Sequence, residues 1–65
     1  MTITLNGKAR EIAAMTLAEL LIEIELGDAI VATALNGRFV PARSRGETGV
    51  VEGDAVEIVA PMQGG

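Results

Sequence analysis

The sequence predicts an α+β domain in which a mixed four- to five-stranded sheet packs on one α-helix. Three observations lead there. Two Asn-Gly dipeptides, Asn6-Gly7 and Asn36-Gly37, each stand between short alternating segments. That is the strongest local hairpin signal, because both residues accept the positive φ of a type I′ turn. Between the hairpins, residues 16–27 have the apolar period of one helix. After them, residues 55–60 alternate as a single last strand. Two packed layers bury one helix face and one sheet face. The sheet is mixed if the first and last strands lie side by side in parallel, for which the long intervening segment is an adequate crossover.

Thr2-Ile3-Thr4-Leu5 alternates as a half-buried strand, and Lys8 to Ile12 returns after the first turn. A two-residue loop sets Leu5 opposite Lys8 and Ile3 opposite Arg10, on one face. Either those long side chains snorkel over the core edge or the loop is longer. Thr16 and Glu19 have capping-box spacing, and Met15 and Leu20 have hydrophobic-staple spacing. Leu17, Leu20, Leu21 and Ile24 then fall on one helical face. Gly27 is placed to end the helix in a left-handed conformation. Glu23, Glu25 and Asp28 sit at the end the helix dipole disfavours. They read as a solvated acidic face, ahead of a docking patch for a basic partner.

Ile30 to Leu35 forms the third strand, with Val31, Thr33 and Leu35 on one face and Ala32 and Ala34 on the other. Arg38-Phe39-Val40 pairs back until Pro41, which has no donor. Phe39, the one aromatic residue, is either a core plug or an exposed contact, and the core is preferred. Residues 42–48 (ARSRGET) form a loop whose Arg43 and Arg45 are read as solvated, with Val50 and Val51 packed beneath. Gly53-Asp54 turns the chain into the last strand. There Val56 and Ile58 point one way, Glu57 and Val59 the other.

Composition narrows the function. The chain has 65 residues, no cysteine and no histidine. It therefore lacks disulfides, thiolate metal sites and the usual nucleophile–base pairs, and Ser44 has no imidazole beside it in sequence or in reserve. Catalysis by the chain alone is not expected, nor is a metal site. The net charge of −4 disfavours a nucleic-acid partner. No apolar run approaches the ~20 residues of a membrane span. The opening MTITLNGKAR enters a strand directly, unlike a signal peptide, and the expected location is the cytoplasm.

The remaining feature is the end, Ala60-Pro61-Met62-Gln63-Gly64-Gly65. Terminal glycines suit a frayed end. On composition alone that reading comes ahead of the other, a thin stalk that threads a narrow channel and offers its carbonyl carbon unhindered.

The middle segment NGRFVPAR (Asn36 to Arg43), the terminal GDAVEIVAPMQGG (Gly53 to Gly65) and the strand order resemble the sulfur carrier proteins of thiamine biosynthesis. Those proteins are ubiquitin-like, with the β-grasp fold, and the similarity covers essentially the whole chain. The resemblance implies a β-grasp domain over residues 1–60 and a flexible Gly-Gly tail over residues 61–65. It implies a carrier, not an enzyme, with no cofactor of its own. An E1-like adenylating enzyme would use ATP and magnesium to convert the Gly65 carboxylate, presented with Gly64, to an acyl-adenylate. Sulfur from a donor such as a cysteine desulfurase would leave a thiocarboxylate there, and thiazole synthase would accept that sulfur. Met62, Gln63, Val59, Arg43 and Arg45 are the candidate partner contacts. Members often have Arg directly after the Val-Pro pair and a tryptophan shortly beyond. Here Ala42 intervenes, and Gly46 stands about where the tryptophan falls. The small subunit of molybdopterin synthase shares this tail and thiocarboxylate, but its chains are usually longer. A ubiquitin-like modifier, joined through Gly65 to a lysine, and an interaction module with an inert tail are the other readings.

Overall fold

A computed structural model describes residues 1–60. Strands β1 (Thr2–Leu5) and β2 (Lys8–Glu11) form the first hairpin around Asn6 and Gly7, whose φ angles are 52° and 85°. Leu5 faces Lys8 and Ile3 faces Arg10, so the loop has two residues. Position resolves the mismatch of apolar and charged side chains. β2 is an edge strand and all four of its residues are exposed, while Ile3 is buried. Charge on an edge also discourages pairing with other chains. The open end of the hairpin is closed by the Met1 ammonium, which donates to the Ile12 carbonyl (2.9 Å) and to Glu11 Oε2 (3.1 Å).

Helix α1 (Leu17–Glu23) starts as the capping spacing predicts, with the Glu19 N–H donating to Thr16 Oγ1 at 3.1 Å. The return bond lands one residue earlier than in a capping box: Glu19 Oε1 accepts from the Met15 N–H at 2.8 Å. The Met15 side chain is 69% exposed and does not act as the staple. Its backbone is held instead. The Val50 N–H donates to the Met15 carbonyl and the Leu17 N–H to the Thr48 carbonyl, both at 3.0 Å. Glu23 is not simply solvated either. Its carboxylate accepts from the Ala13 (3.1 Å) and Ala14 (2.8 Å) N–H groups and so closes the link from β2 to α1.

The helix ends before Gly27. Glu25 takes the left-handed position with φ 67°. The Glu25 N–H donates to the Ile22 carbonyl (3.0 Å) and the Leu26 N–H to the Leu21 carbonyl (2.7 Å), the two bonds of a Schellman motif. Packing explains the choice. Leu26 lies against the core, and the residue before it must make the turn that sends it there.

The second hairpin joins β3 (Ala32–Leu35) and β4 (Arg38–Val40) through Asn36 (φ 51°) and Gly37 (φ 84°). Beyond Pro41 the predicted loop is a 3₁₀ helix, Ala42–Glu47. Val50 is buried beneath it as predicted, whereas Val51 is exposed. Val51 belongs to the next turn, where the Asp54 N–H donates to its carbonyl (3.1 Å) and Asp54 Oδ2 accepts from its N–H (2.9 Å). That turn delivers β5 (Ala55–Val59) into the middle of the sheet. The strand order is β2-β1-β5-β3-β4, with β5 parallel to β1 and antiparallel to β3. Ile3, Leu17, Leu20, Leu21, Val56 and Ile58 lead the core between sheet and helix. The mixed five-stranded sheet on one helix is the α+β architecture the sequence predicts.

Two outcomes follow. Glu25→Gly removes left-handed strain from an L residue and an acid from the negative end of the helix, against the entropy of a new glycine. It should stabilise the domain by about 0.5–1 kcal/mol in urea unfolding. The second concerns acid. The Thr2 hydroxyl bond, then the Met1 ammonium, hold the Glu11 carboxyl below the usual carboxylate range. A depressed carboxyl adds stability above its unfolded pKa and loses it as pH falls through the folded value. The stabilities of wild type and Glu11→Gln should therefore differ near neutrality and converge on acidification, as thermal melts at a series of pH values will report. Added salt should shrink the gap, because Glu11 is exposed.

Candidate functional site

Strand parity divides the sheet into a face against α1 and an open face. Val56 and Ile58 of β5 are buried, which turns Ala55, Glu57 and Val59 outward. Ala34 pairs with both Glu57 and Phe39, and Ala32 pairs with Val59. Phe39 therefore stands on the open face, 70% exposed, and is not core. The two-residue turn at Asn36-Gly37 imposes this. It sets Leu35 opposite Arg38 and Ala34 opposite Phe39, so the inward position on β4 falls to Val40.

On this face the small side chains of Ala32 and Ala34 lie between Phe39 and Val59 and leave a shallow groove of about 420 Å³. Asn6, Thr33 and Glu57 complete its lining. A second hollow of about 290 Å³ shares Ala32 and Val59 and adds Ile30, Val31 and Ala60. Together they make an apolar track from β4 to Ala60, the last described residue. Ile30, at 84% exposure, and Val59, at 63%, are its open apolar side chains beside Phe39. Among the described residues Glu57 is the one charged residue in its lining.

The loop arginines have different settings. Arg43 is exposed on the 3₁₀ helix. Arg45 turns inward. Its Nε donates to Thr33 Oγ1 (3.0 Å) and its Nη2 to the Val31 carbonyl (2.6 Å), while the Thr33 hydroxyl donates to the Val40 carbonyl (2.8 Å). The reading of Arg45 as solvated loop charge is thus corrected: its guanidinium fastens the 3₁₀ helix to β3. Thr33 is the one buried polar side chain among the described residues, and these bonds satisfy it. Met62, Gln63, Gly64 and Gly65 lie outside the described residues. Among the described residues no cluster of three His, Cys, Asp or Glu side chains could hold a metal ion, and no helix is long and apolar enough to cross a membrane.

Val59 alone of the track was singled out by sequence. Asn6 was read only as a turn residue, and of the two readings of Phe39 the core was preferred to the exposed contact that the structure shows, although parity from the Asn-Gly turn carried the signal for it. For Ile30 the signal was alternation with Ala32 and Ala34, although the strand expected over residues 30–35 begins only at Ala32.

A five-stranded mixed sheet in this order, with one helix across one face and an apolar open face, defines a ubiquitin-like β-grasp protein. The comparisons make the class particular. Residues 3–65 match the ThiS family. The crystal structure of a thiamine biosynthesis protein (ThiS) from Geobacter metallireducens is similar with a TM-score of 0.86 and 33% identity, over 100% of both chains. The solution structure of a thiamine biosynthesis protein from the same organism gives 0.81 and 33% identity, over 100% of this chain and 88% of that one. No curated protein matches significantly. The chain belongs to the ThiS family, the non-catalytic sulfur carriers whose C-terminal glycine thiocarboxylate feeds thiazole synthase.

The arginines provide a test of the site's construction. Arg45→Ala removes two bonds from partly buried acceptors and should cost about 1–3 kcal/mol in urea unfolding. Arg43→Ala should stay within about 0.5 kcal/mol of wild type.

Proposed function

We propose that residues 1–60 are the body of the carrier and residues 61–65 its tail, and that the open sheet face seats the activating enzyme. The observation that carries this is the apolar track, which runs past Val59 to Ala60, where the tail begins. A partner seated there holds the root of the tail and receives its end. The exposed Arg43, with Met62 and Gln63, extends the contact.

The chemistry follows from what a carboxylate lacks. The Gly65 carboxylate is a poor electrophile. An E1-like enzyme with ATP and magnesium converts it to an acyl-adenylate, which carries a good leaving group. The terminal sulfur of a persulfide donor, such as that of a cysteine desulfurase, attacks the acyl-adenylate and displaces AMP to give an acyl disulfide. A second thiol on the partner then attacks the donor's sulfur, forming a partner disulfide and releasing the thiocarboxylate. Thiazole synthase is the acceptor. Gly64 and Gly65, without Cβ atoms, suit passage into both partners' sites. The catalytic groups belong to those partners. The activating step's need for ATP favours a cytoplasmic setting.

Incubation with ATP and the activating enzyme should place AMP on the C-terminus, detected by intact mass. In the cell the same measurement should find one oxygen replaced by sulfur, and an added protein would instead indicate a modifier. Gly65→Leu should abolish adenylation with the circular dichroism and melting temperature of wild type. Val59→Asp should leave stability nearly unchanged and raise the KM for adenylation about tenfold, as for a central interface side chain. Unchanged kinetics would remove Val59 from the docking face.

A further inference from the structure

We propose that the side-chain amide of Asn6 is a positioning residue for the reactive tail: it replaces a missing rung of the β1–β5 ladder and fixes the end of β5 from which the tail departs. The inference rests on Gly65 being the activated group.

A parallel ladder is evenly spaced, each bonding residue of one strand reaching two residues of the other. β1 begins this way. The Thr4 N–H donates to the Asp54 carbonyl and the Asn6 N–H to the Val56 carbonyl, both at 2.9 Å. The next rung calls for the Ile58 N–H to reach the Asn6 carbonyl and for the Ile58 carbonyl to receive the N–H of Lys8. β1 cannot supply either bond, because the chain reverses at Asn6 with φ 52° and Lys8 has left for β2. The Asn6 side chain supplies both. Its Oδ1 accepts from the Ile58 N–H at 2.8 Å and its Nδ2 donates to the Ile58 carbonyl at 3.1 Å. A primary amide carries a donor and an acceptor side by side, as the peptide backbone does.

The need is one-sided. On the β3 flank, β5 is paired as far as Val59 with Ala32. On the β1 flank, main-chain register stops at Leu5 with Val56. Without Asn6, the backbone of Ile58 would face the end of β1 unmatched, two residues before Ala60. Asn6 also lines the groove with Phe39, Glu57 and Val59. One side chain thus sets both the docking face and the direction in which the chain leaves it.

Asn36 is a built-in control. It occupies the same kind of turn with φ 51°, and its Oδ1 accepts from the Ala55 N–H at 2.9 Å. Its Nδ2 donates to Asp54 Oδ1 at 3.0 Å. It grips the start of β5, not the end.

The test uses the full chain with Asn6→Gly and Asn36→Gly, both of which keep the positive-φ turn. Asn6→Gly should speed hydrogen exchange of the Ile58 amide about tenfold relative to the slowest core amides, and Asn36→Gly should not. In adenylation, Asn6→Gly should raise the KM for the carrier about five- to tenfold with kcat within about twofold, because the partner must now order the loosened end. Asn36→Gly should leave both parameters near wild type. Asn6→Asp keeps the acceptor and the turn but not the donor, and should fall between. It carries the test if Asn6→Gly fails to fold. Equal KM changes in the Asn6 and Asn36 variants, or none in either, would overturn the positioning role. Unchanged Ile58 exchange would overturn the clamp itself. A wild-type chain that is not adenylated would instead sink the functional reading, with the exchange measurement still deciding the clamp.

Discussion

The structure depends on the parallel pairing of its first and last strands. A parallel neighbour cannot be reached by a tight turn, so the chain between must cross from one end of the sheet to the other. Helix α1 lies on that connection and covers one face. The second hairpin, which contains β3 and β4, then supplies the other flank of β5. The β1–β5 register itself is short, Thr4 with Ala55 and Leu5 with Val56. It holds because it is tied beyond both ends. Ahead of it, the Thr2 N–H donates to Glu52 Oε1 and the Gly53 N–H donates to the Thr2 carbonyl, each at 2.9 Å. Behind it stands the Asn6 amide. The consequence for function is that β5 ends held by β3 on one side and by the Asn6 amide on the other. Its final described residues leave beside the open face, not from a fraying edge.

Much of this was legible in sequence, and the physical reason is locality. Each Asn-Gly turn is decided by two residues, and both appear where the dipeptides stand. Thr16 and Glu19 met as capping partners because three residues fix their separation. The faces of β3 and β5 followed from alternation. The errors arose where two local rules disagreed or where the deciding contact was distant. Phe39 is one conflict: the tendency of a lone aromatic to be buried opposed the parity imposed by its own turn, and parity prevailed because the two-residue turn fixes the register and leaves the inward position on β4 to Val40. Gly27 is another. Its freedom at positive φ made it the natural helix end, yet the need to seat Leu26 on the core moved that end to Glu25.

The distant contacts were beyond reading. Nothing near Arg45 announces that its guanidinium will meet the Val31 carbonyl and the Thr33 hydroxyl. Nothing near Glu23 announces the N–H groups of Ala13 and Ala14. The candidate site was legible in part for the same reason. Val59 lies in an alternating strand and declared its face. The groove beside it is built by register among three strands, and the Asn6 amide is recognisable only once β1 is known to stop short of Ile58.

The energetics of the open face bear on what it is for. A chain of this size has a thin stability margin, and Phe39 is its only aromatic residue. Burying a side chain of that kind contributes about 1.5–3 kcal/mol, and this fold forgoes most of it. Ile30 and Val59 are left outside as well. The core is assembled from aliphatic side chains alone, with the Arg45–Thr33 bonds and the Glu23 and Glu19 carboxylates securing connections that a larger core would secure by packing. An arrangement that places three of the six exposed large apolar side chains among the described residues, Phe39, Ile30 and Val59, on one continuous face next to the start of the tail is poorly explained by the needs of folding. It is well explained by a surface that completes its burial against a partner, and the small alanines between Phe39 and Val59 leave that partner room to enter.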